Sequence, residues 1–546
     1  MRTRALLWIA IASCCPPKTK TAPPPVAENP MPAPTPPPAP PPAPEPPKPV
    51  TQTAQPQELA FPDEDFRKAQ PAPGPERPFH LPHVQTIKLK NGITAYLVEQ
   101  HTLPIVSWDL TFDGGSLADP QGKEGLASQC MSLVGEGTQK LDKIAFSEAL
   151  ADLASSVSAY AGDDLQGVGA STLTKHVDET FALFADVVQT PGLRADDFDR
   201  LTKRRIESIK QQKGAPGSVA GRVSGPILYG PKHRLGRPVT EATLGAITLD
   251  DCKAYHAKWL HPRGARLFVF GDMTEEKLRG LFEGSALAGW AGSVPTAPAE
   301  PAPHMLAGRI FLVDIPGAQQ SVVALMGFGP PRNANDYMQT MIMSSVLGGG
   351  FASRINMNLR EDKGYSYGAR AGFAYDRKRS VFSATAQVRT DSTYQSLLEI
   401  DKEVNALAAG GTPATDVEID REKQGAILGL PAKFATGSSA LQMYRSLVYY
   451  GLPLDYYASY VDKVKKVAGK AVGSAAKAHL KPGEAVYVVV GDANATMIVR
   501  DGKTDKPLEK DGKPVTLRAA LTDLAASGKL GKGGLVVLDA DGQVTK

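Results

Sequence analysis

One short pattern occurs twice in this 546-residue chain, at 261–272 and again at 481–492. Both copies read Pro-x-x-Ala, then a mostly apolar run, then Gly-Asp, and each follows a stretch with helical spacing. Two copies separated by 220 residues (481 minus 261) indicate duplication of a whole domain rather than a short solenoid repeat. We therefore predict two homologous modules, over 84–292 and 307–497, joined by a Pro- and Ala-rich linker at 293–306. Residues 498–546 form a C-terminal extension.

Hydrophobic patterning predicts the elements inside these modules. Two alternating apolar runs around an Asn-Gly turn predict a hairpin over 86–98, and helical spacing begins after Gly125. The same criteria predict further strands and helices at 106–112, 143–154, 175–189, 195–212 and 535–542. The predicted fold class is α+β, in which each module is a mainly antiparallel sheet packed by helices and the two modules form a clam-shell around a chamber.

The first fourteen residues match a secretory signal. Arg2 and Arg4 precede an apolar run over 5–12, which is far shorter than the ~20 residues that a membrane-spanning helix needs. The run ends in Ile-Ala-Ser-Cys, which resembles a bacterial lipobox, so Cys14 is predicted to be acylated and to hold the protein on a membrane. An ordinary signal peptide with a nearby cysteine is the alternative. The expected location is the bacterial cell envelope, on the periplasmic face or at the outer membrane.

Proline dominates the segment that follows the signal. Of the 36 residues from 15 to 50, 18 are Pro, and low complexity continues to about residue 82. Such a segment favours extended polyproline II, so 15–82 is predicted to be a disordered tether. A ligand for a proline-recognition module is the alternative.

Charge and cysteine content exclude two further classes of protein. A net charge of +4, from 61 basic and 57 acidic residues, is too even for a nucleic-acid surface, so no nucleic-acid partner is expected. Four cysteines predict no disulfide framework. Cys130 and Cys252 lie in helical patterns and are predicted to be small core residues.

Residues 125–138 read Gly-Leu-Ala-Ser-Gln-Cys-Met-Ser-Leu-Val-Gly-Glu-Gly-Thr. In a two-module chain behind a signal sequence, this frame resembles the pitrilysin/insulinase superfamily of zinc metallopeptidases, in its bacterial processing-peptidase-like branch. There the frame contains the zinc motif His-x-x-Glu-His. The resemblance implies that Ser128 and Ser132 stand at the positions of the two His ligands, and Met131 at that of the general base.

These substitutions predict a degenerate motif. Neutral hydroxyls are poor zinc ligands, and a thioether cannot take a proton from metal-bound water. The resemblance places a third ligand, a Glu, within 198–212, where Glu207 lies. The remaining histidines considered, His80, His83, His256 and His261, are expected to be surface or structural residues. No metal and no cofactor are expected on this chain; zinc would be carried by a partner chain.

The second module has a different motif. A Gly-rich turn over 347–354 precedes a helix, Gly364 is predicted to end that helix in a left-handed conformation, and a strand follows. Alternation predicts that Tyr365, Tyr367 and Ala369 share one face of this strand. From spacing alone, Arg360 would be a surface residue, Tyr367 a core residue and the glycines a tight turn; a phosphate cradle is disfavoured because no Lys-Ser/Thr follows.

The superfamily shows Arg-Glu-x-x-Gly-x-x-Tyr at this place, and residues 360–367 match it. The resemblance implies that Arg360 and Tyr367 bind the substrate backbone near the scissile bond. It also implies that Gly348, Gly349 and Gly350 correspond to the substrate-binding glycine loop of a non-catalytic subunit.

Three functions follow from a lost metal motif and a retained Arg/Tyr pair. The first is an envelope lipoprotein that binds and positions peptide or unfolded protein for a zinc-bearing homologous subunit, inactive alone and active only in a heteromeric peptidase. The second is a peptide- or protein-binding scaffold lipoprotein without cleavage. The third is a self-sufficient metalloendopeptidase with an unrecognised site. The retained pair favours the first function, because a scaffold would not need it.

Overall fold

The computed structural model describes residues 66, 74, 79–284, 287, 289–306, 309–501 and 504–545. The predicted signal peptide, Cys14 and most of the predicted tether lie outside these residues. The chain divides into two compact units, 1–76 and 77–546, and the helices and strands between Gln85 and Leu538 belong to the second. No helix in the described part combines the length and hydrophobicity needed to cross a bilayer.

The first sheet and its helices use residues 85–284. Its strands are β1 (Gln85–Lys88), β2 (Thr94–Glu99), β3 (Ile105–Asp113), β4 (Ser156–Ala161), β5 (Leu165–Leu173) and β6 (Arg266–Gly271). The helices are α1 (Leu126–Val134), α2 (Lys143–Asp152), α3 (Val177–Gln189), α4 (Ala195–Gln212), α5 (Pro216–Tyr229), α6 (Glu241–Gly245), α7 (Leu249–Trp259) and α8 (Glu275–Gly284). The predicted hairpin, third strand and helices α1 to α4 are confirmed.

The second sheet and the C-terminal region use residues 310–538. The strands are β7 (Ile310–Asp314), β8 (Gln320–Gly329), β9 (Ser366–Ala374), β10 (Ser380–Arg389), β11 (Val486–Gly491), β12 (Ile498–Asp501), β13 (Thr504–Pro507), β14 (Glu509–Lys510), β15 (Lys513–Pro514) and β16 (Leu535–Leu538). The helices are α9 (Tyr337–Gly348), α10 (Arg354–Asn356), α11 (Thr393–Ala408), α12 (Asp416–Leu428), α13 (Gly437–Tyr449), α14 (Tyr460–Lys465), α15 (Gly469–His479) and α16 (Leu517–Ser527).

The two six-stranded sheets have equivalent strand orders, β1-β2-β6-β3-β5-β4 and β16-β7-β11-β8-β10-β9. The sequence repeat therefore places β6 and β11 at the same position of each sheet. Both sheets are mixed and mainly antiparallel; β2 pairs parallel with β6, and β7 pairs parallel with β11 and β16. The late strand predicted near 535 is confirmed, and it fills the edge position that β1 fills in the first sheet.

Strand β11 shows how the second sheet is buried on both faces. Its sequence Val-Tyr-Val-Val-Val is continuously apolar, as expected of a strand covered on both sides. Tyr487 and Val489 belong to the core with α9, α11 and α15, whereas Val486 and Val488 belong to the core on the opposite face.

Helices α5 and α13 exchange between the modules. Val219, Val223 and Ile227 of α5, spaced four residues apart, pack on the second sheet with residues of β7, β8 and β11. Helix α13 packs against β3 and β6 of the first sheet, and its Tyr444 shares a core with Phe268. Each helix therefore covers the sheet of the other module, so the modules meet through buried apolar surface.

Two sequence predictions are corrected by the fold. Cys130 of α1 and Cys252 of α7 are buried as predicted, but they form a disulfide across 122 residues of sequence. The tether predicted to end at residue 82 overlaps the folded unit. The ring of Phe79 lies 5.4 Å from that of Phe434, and the Tyr444 hydroxyl donates a 2.7 Å hydrogen bond to the carbonyl of Pro82.

Candidate functional site

A buried carboxylate fixes the helix that carries the degenerate motif. Asp119 accepts 2.8 Å hydrogen bonds from the backbone N–H groups of Gly125 and Ala127, at the start of α1. Arg234 donates to the same carboxylate at 3.1 Å. Burial raises the pKa of Asp119, and these three donors act in the opposite direction. The position of α1 is therefore set independently of any metal.

The motif residues themselves are occupied by contacts within the helix and core. The Ser128 hydroxyl donates to the carbonyl of Gly125 at 3.1 Å, and the Ser132 hydroxyl donates to that of Ser128 at 2.7 Å. Met131 is fully buried in the first-module core. Both hydroxyl protons are therefore used by backbone carbonyls of α1 or its preceding turn.

Arg205 of α4 contacts the degenerate motif, and it was not singled out from the sequence. Its guanidinium donates to Ser128 Oγ at 2.8 Å and to Gln129 Oε1 at 3.2 Å. Burial lowers the pKa of Arg205, and the charge of Asp119 partly offsets this. Glu207 instead points outward and forms an exposed ion pair with Lys210 at 2.8 Å. The helical phase of α4, which faces Arg205 toward α1, was the only signal in the sequence.

This residue set does not fit a zinc ion. Zinc needs three or four nitrogen, thiolate or carboxylate donors, whereas α1 offers two hydroxyls and α4 presents a cation to one of them. Within the described part of the chain, no group of three or more His, Cys, Asp or Glu side chains converges as metal ligands would.

The predicted glycine loop joins two helices. Gly348 ends α9, Gly349 follows it, and residues 350–353 lead into α10. A Cβ at Gly348 would lie 1.9 Å from the backbone nitrogen of Ala371, whereas a Cβ at Gly350 would meet nothing within 4 Å. Gly348 therefore allows α9 to pack directly on β9, and only the later part of the loop faces open space.

Arg360 and Tyr367 are neighbours, as the motif implies. Arg360 lies in a π-helical turn, Met357–Asp362, that ends before Gly364, whose φ of 63° is left-handed as predicted. The Nη1 of Arg360 donates to the carbonyl of Tyr367 at 3.1 Å, and the Arg360 guanidinium lies 4.9 Å from the ring centre of Phe351.

Tyr367 does not share the face of Tyr365 and Ala369, contrary to the predicted alternation. Tyr365 and Ala369 are buried, but Tyr367 is 88% exposed. The pairing of β9 with β10 shifts register here, because Ala369 opposes Ala386 while Ser366 opposes Val388. Ser366 Oγ donates within this bulge and accepts from Gly368 N–H at 3.0 Å. The bulge turns Tyr367 outward on the edge strand.

Asn356 connects the glycine loop to this strand and was also missed. Its side-chain amide donates to the carbonyl of Phe351 at 2.6 Å and accepts from the Ala369 N–H at 3.1 Å. The structure thus brings Gly350, Phe351, Arg360 and Tyr367 to one surface, here called the β9 surface. No hydrogen bond, ion pair or ring contact among the described residues joins it to Ser128, Met131 or Ser132.

Fold and site together define a two-module protein of the metallopeptidase type whose metal motif has been replaced. Residues 95–222 match the model of the insulinase family (peptidase family M16), and residues 246–425 match that of the peptidase M16 inactive domain. The chain belongs to the insulinase/pitrilysin superfamily, and its 125–138 frame lacks the His-x-x-Glu-His motif.

Individual relatives agree with this assignment. A non-peptidase homolog, YmxG, of Helicobacter pylori is 23% identical over 411 residues, which cover 72% of this chain and 90% of the relative. The zinc protease PqqE of the same strain is 23% identical over 294 residues, covering 52% of this chain and 65% of the relative.

Solved structures confirm the predicted α+β fold in two modules. The peptidase M16 inactive domain from Pseudomonas fluorescens superposes with a TM-score of 0.68 at 24% identity, covering 75% of this chain and 98% of that one. A protease from Helicobacter pylori superposes with a TM-score of 0.67 at 20% identity, covering 75% and 100%.

Proposed function

We propose that this chain is the non-zinc subunit of a heteromeric peptidase, in which it binds and positions peptide or unfolded protein for a zinc-bearing homologous chain. The observation that carries the proposal is the contrast between its two motifs. The metal positions of α1 are filled by residues that cannot bind zinc, whereas Arg360 and Tyr367 remain together on the β9 surface.

The exposure of Tyr367 supports a binding role. A tyrosine that is 88% exposed adds little to the core, and Phe351 beside it is 59% exposed. Clustered exposed aromatic and Arg side chains are typical of protein-binding surfaces. Arg360 offers N–H donors and Tyr367 offers a hydroxyl to carbonyl oxygens of an extended peptide. Donors aimed at the carbonyl that develops negative charge fix the peptide and stabilise that charge.

Two relatives support the existence of a partner. One strain of Helicobacter pylori holds both a non-peptidase homolog and a zinc protease that resemble this chain. A pair of that kind would divide the metal motif and the Arg/Tyr pair between two chains.

The test is peptide hydrolysis by this chain reconstituted with a zinc-bearing homologue from the same source. Arg360→Ala or Tyr367→Phe should lower turnover by about 10²–10³, the usual effect of removing one such donor, without loss of folding or pairing. Arg370→Ala, at an exposed residue of the same strand, is the matched control. Equal rates for all variants would show that the pair is structural and would favour a peptide-binding scaffold instead.

We also propose that the protein is held in the bacterial cell envelope by lipid on Cys14. The signal-like start of the sequence supports this location, and so does the Cys130–Cys252 disulfide, since disulfides persist in oxidising compartments such as the periplasm. Cys14→Ala should move the protein from the membrane to the soluble fraction of cells. A variant that stays on the membrane, with unlipidated wild-type protein, would contradict the proposal.

A further inference from the structure

A cavity of about 340 Å³ lies beside the degenerate motif, on the side of α4. Its lining includes Arg205, Ser208 and Gln212 of α4, together with Arg222 of α5 and Val239. The lining therefore combines two guanidinium groups, a hydroxyl and an amide, and it contains no carboxylate.

Arg222 is already neutralised, but Arg205 is not. Arg222 forms an ion pair with Asp541 and donates to the carbonyl of Val239 at 2.9 Å. Lys213 bridges Asp541 at 2.7 Å and Glu241 at 2.6 Å. These two cations and two carboxylates balance one another, so the charge of Arg205 is left over.

Within the described residues, Arg205 has no carboxylate within 4 Å. The acidic group whose charge acts on Arg205, Asp119, is engaged by Arg234 and by two backbone N–H groups at the start of α1. Arg205 uses two hydrogen bonds, to Ser128 and Gln129, of the five that a guanidinium can donate. A partly buried cation without a counter-ion is unfavourable, and its free donors remain available to a ligand.

We propose that this cavity binds an oxyanion, either the α-carboxylate of a peptide or inorganic phosphate, through the guanidinium of Arg205. Guanidinium groups bind carboxylate and phosphate oxygens through paired, charge-assisted hydrogen bonds. At the cavity wall the Gln212 amide donates to Ser208 Oγ at 3.1 Å, which leaves the Ser208 hydroxyl proton and the second amide proton of Gln212 as neutral donors. The degenerate site would thus bind an anion, whereas a metal site binds a cation, because α4 presents the guanidinium of Arg205 to α1 in place of the expected metal-binding carboxylate. This binding does not depend on a partner chain.

The test is calorimetric titration of the purified full chain with inorganic phosphate, an N-acetylated peptide with a free C-terminus and the same peptide amidated. The free-carboxylate peptide should bind, and its amide should not. If phosphate binds as well, the cavity is a general oxyanion site. If only the free-carboxylate peptide binds, the cavity is a site for peptide C-termini. No binding of either anion overturns the proposal.

Two variants assign the binding to this cavity. Arg205→Gln should weaken binding by about tenfold or more, the effect of losing a charge-assisted hydrogen bond. Arg204→Gln, at the exposed adjacent residue, should leave it unchanged. Equal losses in both variants would show non-specific attraction and overturn the proposal.

A third variant covers the case in which Arg205→Gln misfolds. Ser208 is exposed, so Ser208→Asp should fold and place a carboxylate one helical turn from Arg205. It should abolish anion binding and raise the melting temperature. Binding that survives in a folded Ser208→Asp protein would also overturn the proposal.

Discussion

At the scale of single residues, the exposure of Tyr367 coincides with a register shift beside Ser366 in the pairing of β9 with β10. Alternation from Tyr365 places Tyr367 in the core, and only the bulge at Ser366 reverses that direction. A bulge interrupts the strict alternation of side chains along a strand. Tyr365 and Ala369 lie on either side of it and are both buried, so Tyr367 between them is the residue whose direction departs from the predicted alternation. Ser and Gly at 366 and 368 are compatible with a bulge but do not specify one. Sequence therefore predicted the Arg360–Tyr367 pair but not its exposure.

Gly348 and Gly350 give the first prediction. Gly348→Ala should destabilise the protein by about 1–3 kcal/mol, because the added Cβ overlaps the backbone of β9. Gly350→Ala should change stability by no more than about 0.5 kcal/mol, since nothing lies within 4 Å of its Cβ. Urea unfolding of both variants measures the difference. Equal stability would show that α9 does not pack on β9 as described.

At the scale of elements, an ion pair ties the end of the glycine loop to α12. Arg354 donates to both carboxylate oxygens of Glu418, at 2.7 and 2.8 Å, and to the carbonyls of Thr412 and Pro413. Glu418 also accepts from the backbone N–H of Thr415, the N-cap residue of α12. One guanidinium therefore fixes three segments of chain.

This contact gives a prediction on acid stability. The hydrogen bond with Arg354 lowers the pKa of Glu418 from 4.5 to about 2. A carboxyl group with a lowered folded-state pKa stabilises the protein above its unfolded pKa, and the contribution is lost as pH falls toward 2. Glu418→Gln should therefore cost about 1–3 kcal/mol at pH 7.

Denaturant unfolding of wild type and Glu418→Gln at pH 7, 4 and 2.5 measures this effect. The difference between the two proteins should shrink as the pH is lowered. A difference that stays constant over this range would mean that the Arg354–Glu418 pair does not account for it.

The helices themselves were more predictable from the sequence than the sheets on which they pack. The helices 143–152, 177–189 and 195–212 follow from spacing, because apolar periodicity reports one buried face. Periodicity does not indicate which sheet covers that face, so the exchange of α5 and α13 between the modules could not be predicted from the sequence. The disulfide joins two cysteines that are 122 residues apart, and each lies in the same helical apolar pattern as an ordinary core residue, so the pairing could not be predicted.

At the scale of the whole folded unit, a buried charge cluster joins the modules. Arg445 of α13 donates at 2.7 Å both to Asp109 of β3 and to the hydroxyl of Tyr160 on β4. Tyr160 in turn donates to Asp109 at 2.9 Å. Burial raises the pKa of Asp109, while Arg445 and Tyr160 lower it. Arg445 therefore offsets part of the cost of burying the Asp109 carboxylate in the interface.

The third prediction removes that cation. Arg445→Met should destabilise the protein by about 3–5 kcal/mol at pH 8, because it leaves a buried carboxylate unpaired. Without Arg445, the folded-state pKa of Asp109 rises further above its unfolded value, so the variant's stability should fall as pH increases. The free energy of unfolding of the variant, measured at pH 5 and pH 8, tests the sign of this pH dependence.

The double variant Asp109→Asn/Arg445→Met is the control for that experiment. It should recover most of the lost stability and lose the pH dependence, since no unpaired charge remains. A double variant less stable than Arg445→Met at pH 8 would contradict this account of the interface.

The reciprocal exchange of α5 and α13 has a consequence for the origin of the chain. Two equivalent modules that each lend a helix to the other have the arrangement of a domain-swapped homodimer. The exchange therefore points to an ancestor made of two identical polypeptides, later fused through the segment at 293–306. Because one chain carries both modules, their association does not depend on concentration. The two copies also need not carry the same residues, so each half can hold a different motif.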